Sequence, residues 1–159
     1  MHIRLTCDRS HTAKNDYAQM GHATNIYGII SIPAHTAQTD RVWRRNLEII
    51  AGLPAVDPVY PQLSSTMFHR QFQMGYDERL LPFAANYKNL KLGRIPEWIE
   101  KFEALIRQLM WLSVTAQIET EVSGNFEIGW VVAPDWMAKW KEEPWLPTQK
   151  WTTNGLEQK

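Results

Sequence analysis

Apolar and polar residues alternate most clearly in two neighbouring segments, 116–122 and 126–132. A three-residue loop between them would place Val122 opposite Phe126, and all the apolar residues would then share one face. A two-residue loop would mix apolar and charged positions on both faces. The pattern therefore predicts a β-hairpin with a three-residue loop, in which Asn125 takes the left-handed conformation.

Two other segments have the apolar spacing of amphipathic helices. Trp43, Leu47 and Ile50 recur at i, i+4 and i+7, and they predict a helix that ends before Gly52. A longer stripe predicts a second helix over residues 96–112, which should form the centre of the core. The members of this stripe are Trp98, Phe102, Leu105, Leu109 and Leu112.

Three further segments, 27–32, 67–76 and 80–87, have the composition of strands. Pro82 places the last of them at a sheet edge or at the start of a strand. A short helix at 134–141 follows the hairpin. This order predicts an α+β fold, with an antiparallel sheet of about five strands and two main helices on one face. It suggests the ferredoxin-like order βαββαβ with an added hairpin strand.

The composition is that of one globular domain over residues 1–159, with an irregular arm at 1–25 and a frayed tail at 152–159. Hydrophobic residues make up 44% of the chain and charged residues 21%, which excludes disorder of the whole chain. The 17 basic residues balance 17 acidic ones, so no net charge attracts nucleic acid or an anionic membrane. The single cysteine and the absence of a long apolar run predict a cytoplasmic protein.

The hairpin predicts an acidic surface on its polar face. In the expected register Glu121 lies opposite Glu127, and Glu119 follows on the same face, while Phe126 and Trp130 are buried. Like charges directly opposite each other destabilise a pair of strands. A solvated face screened by salt is the simpler interpretation, and a surface that binds a basic partner is the functional one.

Eight tryptophans are the unusual feature of the composition, and five of them lie at or after residue 130. Tryptophan is enriched both in cores and at the centres of interfaces. The last three tryptophans are therefore candidate contacts for a partner or for a second copy of the chain: Trp140, Trp145 and Trp151.

Polar residues near the start of the chain suggest an alternative, a small hydrolase or a metal-dependent enzyme. Structural zinc sites usually show two closely spaced pairs of ligands, whereas this segment offers one pair and isolated candidates. No known catalytic motif is present. The sequence therefore predicts no catalytic residue, no metal and no cofactor. The candidates for the alternative are Cys7, Asp8, His11, His22 and His35.

Clustered basic residues suggest a second alternative, a nucleic-acid-binding domain. The neutral net charge argues against it. We therefore predict a protein-interaction module, of the inhibitor or immunity type, that binds a basic partner or forms a homodimer. The basic candidates are Arg41, Arg44, Arg45, Lys88 and Lys91.

Overall fold

A computed structural model describes residues 22–33, 39–70, 73–74, 78–135 and 150–159. In these ranges, seven strands form one antiparallel sheet in the order β2-β3-β1-β4-β5-β6, with β7 also beside β5. The strands are β1 (Ala23–Pro33), β2 (Gln73–Met74), β3 (Glu78–Lys88), β4 (Ser113–Thr120), β5 (Gly124–Val132), β6 (Trp151–Thr153) and β7 (Glu157–Gln158). The helices are α1 (Thr39–Ala51) and α2 (Ile95–Ile106), with short 3-10 helices at Ser65–Met67 and Leu92–Arg94.

The predicted α+β class, the antiparallel sheet and the two main helices are confirmed, but the ferredoxin-like order is not. A βαβ unit joins parallel strands through its helix. Here α1 leads from β1 towards β3, and β3 is an antiparallel neighbour of β1. The other neighbour of β1 is β4, which is also antiparallel. The long strand β1 therefore lies in the middle of an antiparallel sheet.

One face of this sheet is packed under the helices. Ile26 and Ile30 of β1 are fully buried there, in one cluster with residues of both helices. Phe102 of α2 is at the centre, with its ring 4.9 Å from that of Phe83 and 5.5 Å from that of Trp130. Phe126 is buried on the same side, so the predicted burial of Phe126 and Trp130 is confirmed.

The predicted register of the hairpin is wrong, although its faces are right. Ile118 pairs with Phe126 instead of Trp130, a shift of four positions along β5, and an even shift keeps every side chain on its face. The loop is therefore 121–123, and Gly124 takes the positive φ of 91° that was expected of Asn125. Glycine adopts this conformation without steric cost. Val122 is left 67% exposed.

Helix α2 ends at Ile106, earlier than the predicted residue 112. The chain then turns, and the indole of Trp111 donates a hydrogen bond of 2.8 Å to the carbonyl of Ile106. Leu109 remains buried beyond the helix end. The apolar stripe therefore predicted burial correctly but overestimated the length of the helix.

The predicted strand over 67–76 is mostly irregular in its described part. It begins in a 3-10 helix, forms an isolated bridge between Phe68 and Phe83, and contributes only the two-residue strand β2. Strand β3 is consequently next to a very short edge strand. Pro82 pairs with Ile29 of β1, and its carbonyl accepts a hydrogen bond of 2.9 Å from the backbone of His69.

The predicted frayed tail at 152–159 is also wrong, because β6 and β7 both pair with β5. Strand β1 begins at Ala23, so it includes the end of the predicted arm at 1–25. Residues 1–21 and most of the predicted helix at 134–141 lie outside the described residues.

Candidate functional site

The sheet face opposite the helices forms the candidate site, which we call the open face. Because side chains alternate along a strand, the residues next to the buried ones in sequence point to this side. Three apolar residues and three carboxylates define the open face. They are Tyr27, Ile29, Val131, Glu119, Glu127 and Glu157.

The apolar part of the open face is well exposed. Tyr27 is 40% exposed, Ile29 38% and Val131 55%. Large apolar side chains grouped on a surface often mark a binding site, whereas isolated ones need no explanation. Ile29 pairs with Thr115 of β4, and Thr115 pairs with Gly129 of β5. Val131 is two residues beyond Gly129 on the same side of β5. Tyr27 and Ile29 are therefore neighbours on the open side of β1, whereas Val131 lies on the same face two strands away, beyond β4.

Glu119 belongs to a polar cross-strand contact. The hydroxyl of Tyr27 donates a hydrogen bond of 2.6 Å to Glu119, and this bond raises the pKa of the tyrosine. The residue paired with Glu119 in the hairpin is Asn125. Glu119 therefore faces an amide across the hairpin.

Glu127 is the centre of a second polar contact. Lys159 forms an ion pair with it and Gln117 donates a hydrogen bond to it, and these two contacts lower the pKa of the carboxyl group. Its hairpin partner is Gln117, not Glu121. A like charge does lie opposite, but it comes from Glu157 of β7, which the sequence pattern did not reveal.

Glu121 is in the hairpin loop at one end of the sheet. Its carboxylate accepts a hydrogen bond of 3.0 Å from the backbone of Ala23, and it lies 3.8 Å from Nδ1 of His22. The predicted repulsion between Glu121 and Glu127 is therefore wrong. Each of the three predicted carboxylates has a polar partner of its own.

Trp151 holds the C-terminal strands to the body of the protein. Its ring lies 5.7 Å from that of Trp111, and the guanidinium of Arg107 lies 4.4 Å from the ring centre. Such a cation–π contact stabilises the position of both side chains. Trp140 and Trp145 lie outside the described residues.

The residues of the enzyme alternative are mostly outside the described ranges. These are Cys7, Asp8, His11 and His35. His22 is exposed next to Glu121. Across the described ranges, no group of three or more His, Cys, Asp or Glu side chains could hold a metal ion.

The basic residues of the nucleic-acid alternative are divided between two regions. Arg41, Arg44 and Arg45 are exposed on α1, and Arg45 forms an ion pair of 3.2 Å with Glu48. Lys88 ends β3 on the side of the open face, opposite the helices. The described structure therefore does not join them into one groove.

Fold and site together define an α+β protein with an exposed, mixed apolar and acidic sheet face. None of the helices in the described ranges is long and apolar enough to span a bilayer. No protein family, curated protein or solved structure matches this chain.

Proposed function

We propose that this chain is a protein-interaction module that binds a basic protein partner through the open face. One observation carries the proposal: the exposed apolar side chains of Tyr27, Ile29 and Val131 lie on the same face of one sheet as the carboxylates of Glu119 and Glu127. An apolar centre with a charged rim is the usual arrangement of a protein interface.

The carboxylates support a basic partner. A carboxylate has about four positions that can accept hydrogen bonds, so one or two intramolecular partners leave capacity for an arginine or lysine from another protein. Glu157 adds a further exposed carboxylate at the same edge of the face. Two copies of this face would bring carboxylates together, so self-association through it is disfavoured.

Site-specific photo-crosslinking tests the proposal. A photo-reactive phenylalanine derivative replaces Val131 on the open face, or Val59 in the loop beside α2, which is similarly exposed at 60%. Both proteins are irradiated in cells of the source organism. We expect the derivative at position 131 to capture a defined basic protein that the derivative at position 59 does not capture. Capture of the same species from both positions, or of this chain alone, would contradict the proposal.

Charge reversal tests the electrostatic part of the proposal on the captured partner. Glu157→Lys should slow association and reduce its dependence on salt, because rim charges act mainly on the encounter rate. Glu100→Lys makes the same change of charge on the exposed side of α2 and is the matched control. An equal effect of both variants would show that net charge, not the open face, steers binding.

A further inference from the structure

Two loops extend beyond one end of the sheet, on either side of the first residues of β1. Thr24 of β1 pairs with Tyr87 near the end of β3 and with Thr120 at the end of β4. Beyond these pairs, residues 89–93 continue from β3 and residues 121–123 form the hairpin loop. The two loops and the start of β1 line a pocket with a volume of about 360 Å³.

Hydrogen bonds hold both loops of the pocket to β1 and the residue before it. The backbone N–H of Asn89 donates to the carbonyl of His22 at 2.8 Å, and Asn89 takes a positive φ of 65° where the chain turns after β3. On the other side, the carboxylate of Glu121 accepts from the backbone N–H of Ala23 at 3.0 Å. The walls are therefore already in place, as is usual for small-molecule sites.

The pocket has apolar residues both in its lining and at its rim. Leu90 is buried in the lining, and its carbonyl accepts a hydrogen bond of 2.8 Å from the hydroxyl of Thr24, which uses the single donor of that group. Leu92 on one loop is 41% exposed and Val122 on the other is 67% exposed. An apolar ligand would remove these two side chains from water.

The acidic and basic side chains of the pocket differ in their partners. The carboxylate of Glu121 already accepts a hydrogen bond from Ala23 and lies 3.8 Å from Nδ1 of His22. Lys91 also lines the pocket and is exposed, and among the described residues its ammonium group has no hydrogen-bond or ion-pair partner. A charged donor without a partner favours an acidic group on the ligand, since charge-assisted hydrogen bonds are the strong ones.

We propose that this pocket binds a small organic acid with an apolar body, whose acidic group pairs with Lys91 and whose body packs between Leu92 and Val122. An apolar lining with a few polar groups is the usual composition of a small-molecule site. Such sites have volumes of about 300–1,000 Å³, and this pocket is at the lower end of that range. The ligand should therefore be of low molecular weight, such as a substituted aromatic acid.

Two fluorescent probes with similar apolar bodies test the proposal on the intact protein. Anilinonaphthalene sulfonate carries an acidic group, whereas N-phenyl-1-naphthylamine is uncharged. Both probes are titrated against the wild-type protein, Lys91→Met and Leu92→Ser, which change exposed side chains of the pocket. Lys88→Met removes an exposed cation on the side of the open face, and Val56→Ser removes an apolar side chain that is 80% exposed in the loop after α1. These two variants are the matched controls.

We expect Lys91→Met to weaken binding of the sulfonate by about fivefold or more and binding of the uncharged probe by less than about twofold, because only the sulfonate pairs with the cation. Leu92→Ser should weaken binding of both probes by about threefold or more, because both bury this side chain. In a nuclear magnetic resonance titration with the sulfonate, the backbone amide signals of Gly93 and Ser123 should shift, since both residues line the pocket.

Three results would overturn the proposal. They are the absence of saturable binding of the sulfonate, equal effects of a pocket variant and its matched control, and amide shifts confined to the open face. None of the six residues that define the open face lines this pocket, so neither outcome decides the proposed function.

Discussion

Asn46 is a fully buried amide that joins α1 to the chain beyond α2. Its Nδ2 donates to the carbonyl of Met110 at 2.8 Å, and its Oδ1 accepts from the N–H of the same residue at 3.0 Å. Both backbone groups of Met110 are satisfied by this single side chain. The sequence gives no local signal for such a contact, because the two residues are 64 positions apart.

Asn46→Ala should therefore lower the free energy of unfolding by about 3 kcal/mol, since two buried backbone groups lose their partner. Arg44→Ala on the exposed side of the same helix should change it by less than about 0.5 kcal/mol. Denaturant unfolding monitored by tryptophan fluorescence measures both values. A change in the Asn46 variant no larger than in the Arg44 variant would contradict the role of this amide.

Asp57 makes stability depend on pH. Its carboxylate accepts hydrogen bonds from the backbone of Leu63, from Lys101 and from the backbone of Val59, and these bonds lower its pKa from the ordinary 3.8 to about 2. A lowered pKa in the folded state stabilises the fold above the unfolded value, and this stability is lost as the pH falls through the window from 3.8 to about 2.

We expect the unfolding free energy of the wild-type protein to fall more steeply across this window than that of Asp57→Asn. Lys101→Met should move this loss of stability towards higher pH, because the carboxylate of Asp57 then keeps only its backbone hydrogen-bond donors. Urea unfolding at a series of pH values measures these slopes. Parallel pH profiles for wild type and Asp57→Asn would refute the assignment.

At the scale of elements, α2 holds the core together through Phe102. Its ring stacks on that of Trp98 at 4.8 Å and also contacts aromatic rings of β3 and β5. Phe102→Ala should cost about 3–5 kcal/mol, a large share of the stability of an ordinary domain. Glu100→Ala on the exposed side of α2 is the control. An unchanged thermal midpoint for Phe102→Ala would show that the helix is peripheral.

The hairpin turn provides a test of register. Gly124→Ala places a side chain at a positive φ and should cost about 1–2 kcal/mol, whereas Asn125→Ala should be nearly neutral. The register predicted from the apolar pattern requires Asn125→Ala to be the more destabilising of the two substitutions. Thermal unfolding of both variants distinguishes the two registers, and a larger loss for Asn125→Ala would refute the described turn.

The same hairpin shows what an apolar pattern can predict. Alternation identified the faces of β4 and β5, and any even shift of register preserves them. The register itself depends on the turn, where the hydroxyl of Thr120 accepts from the N–H of Ser123 at 2.8 Å and donates to the carbonyl of Gly124 at 2.9 Å. These polar contacts cannot be predicted from the pattern of apolar residues.

At the scale of the whole molecule, the class of fold follows from local patterns but the strand order does not. Helix and strand periods are local properties, whereas no local pattern indicates that β1 pairs with both β3 and β4.

The apolar part of the open face could not be predicted from the sequence for a related reason. In segment 27–32 both Ile29 and Ile30 are apolar, so the outward and inward positions of β1 do not differ in character. The carboxylates of β4 and β5 were identified because they alternate with apolar residues.

The open face as the partner-binding surface is the central claim, and one affinity measurement tests it most directly. The partner captured from position 131 is titrated calorimetrically against Val131→Arg and Val59→Arg, which make the same substitution at similarly exposed sites. We predict that Val131→Arg weakens binding by about tenfold or more, because it places a cation on the face that the basic partner contacts. Val59→Arg should change the affinity by less than about twofold. Equal affinities for the two variants would contradict the claim.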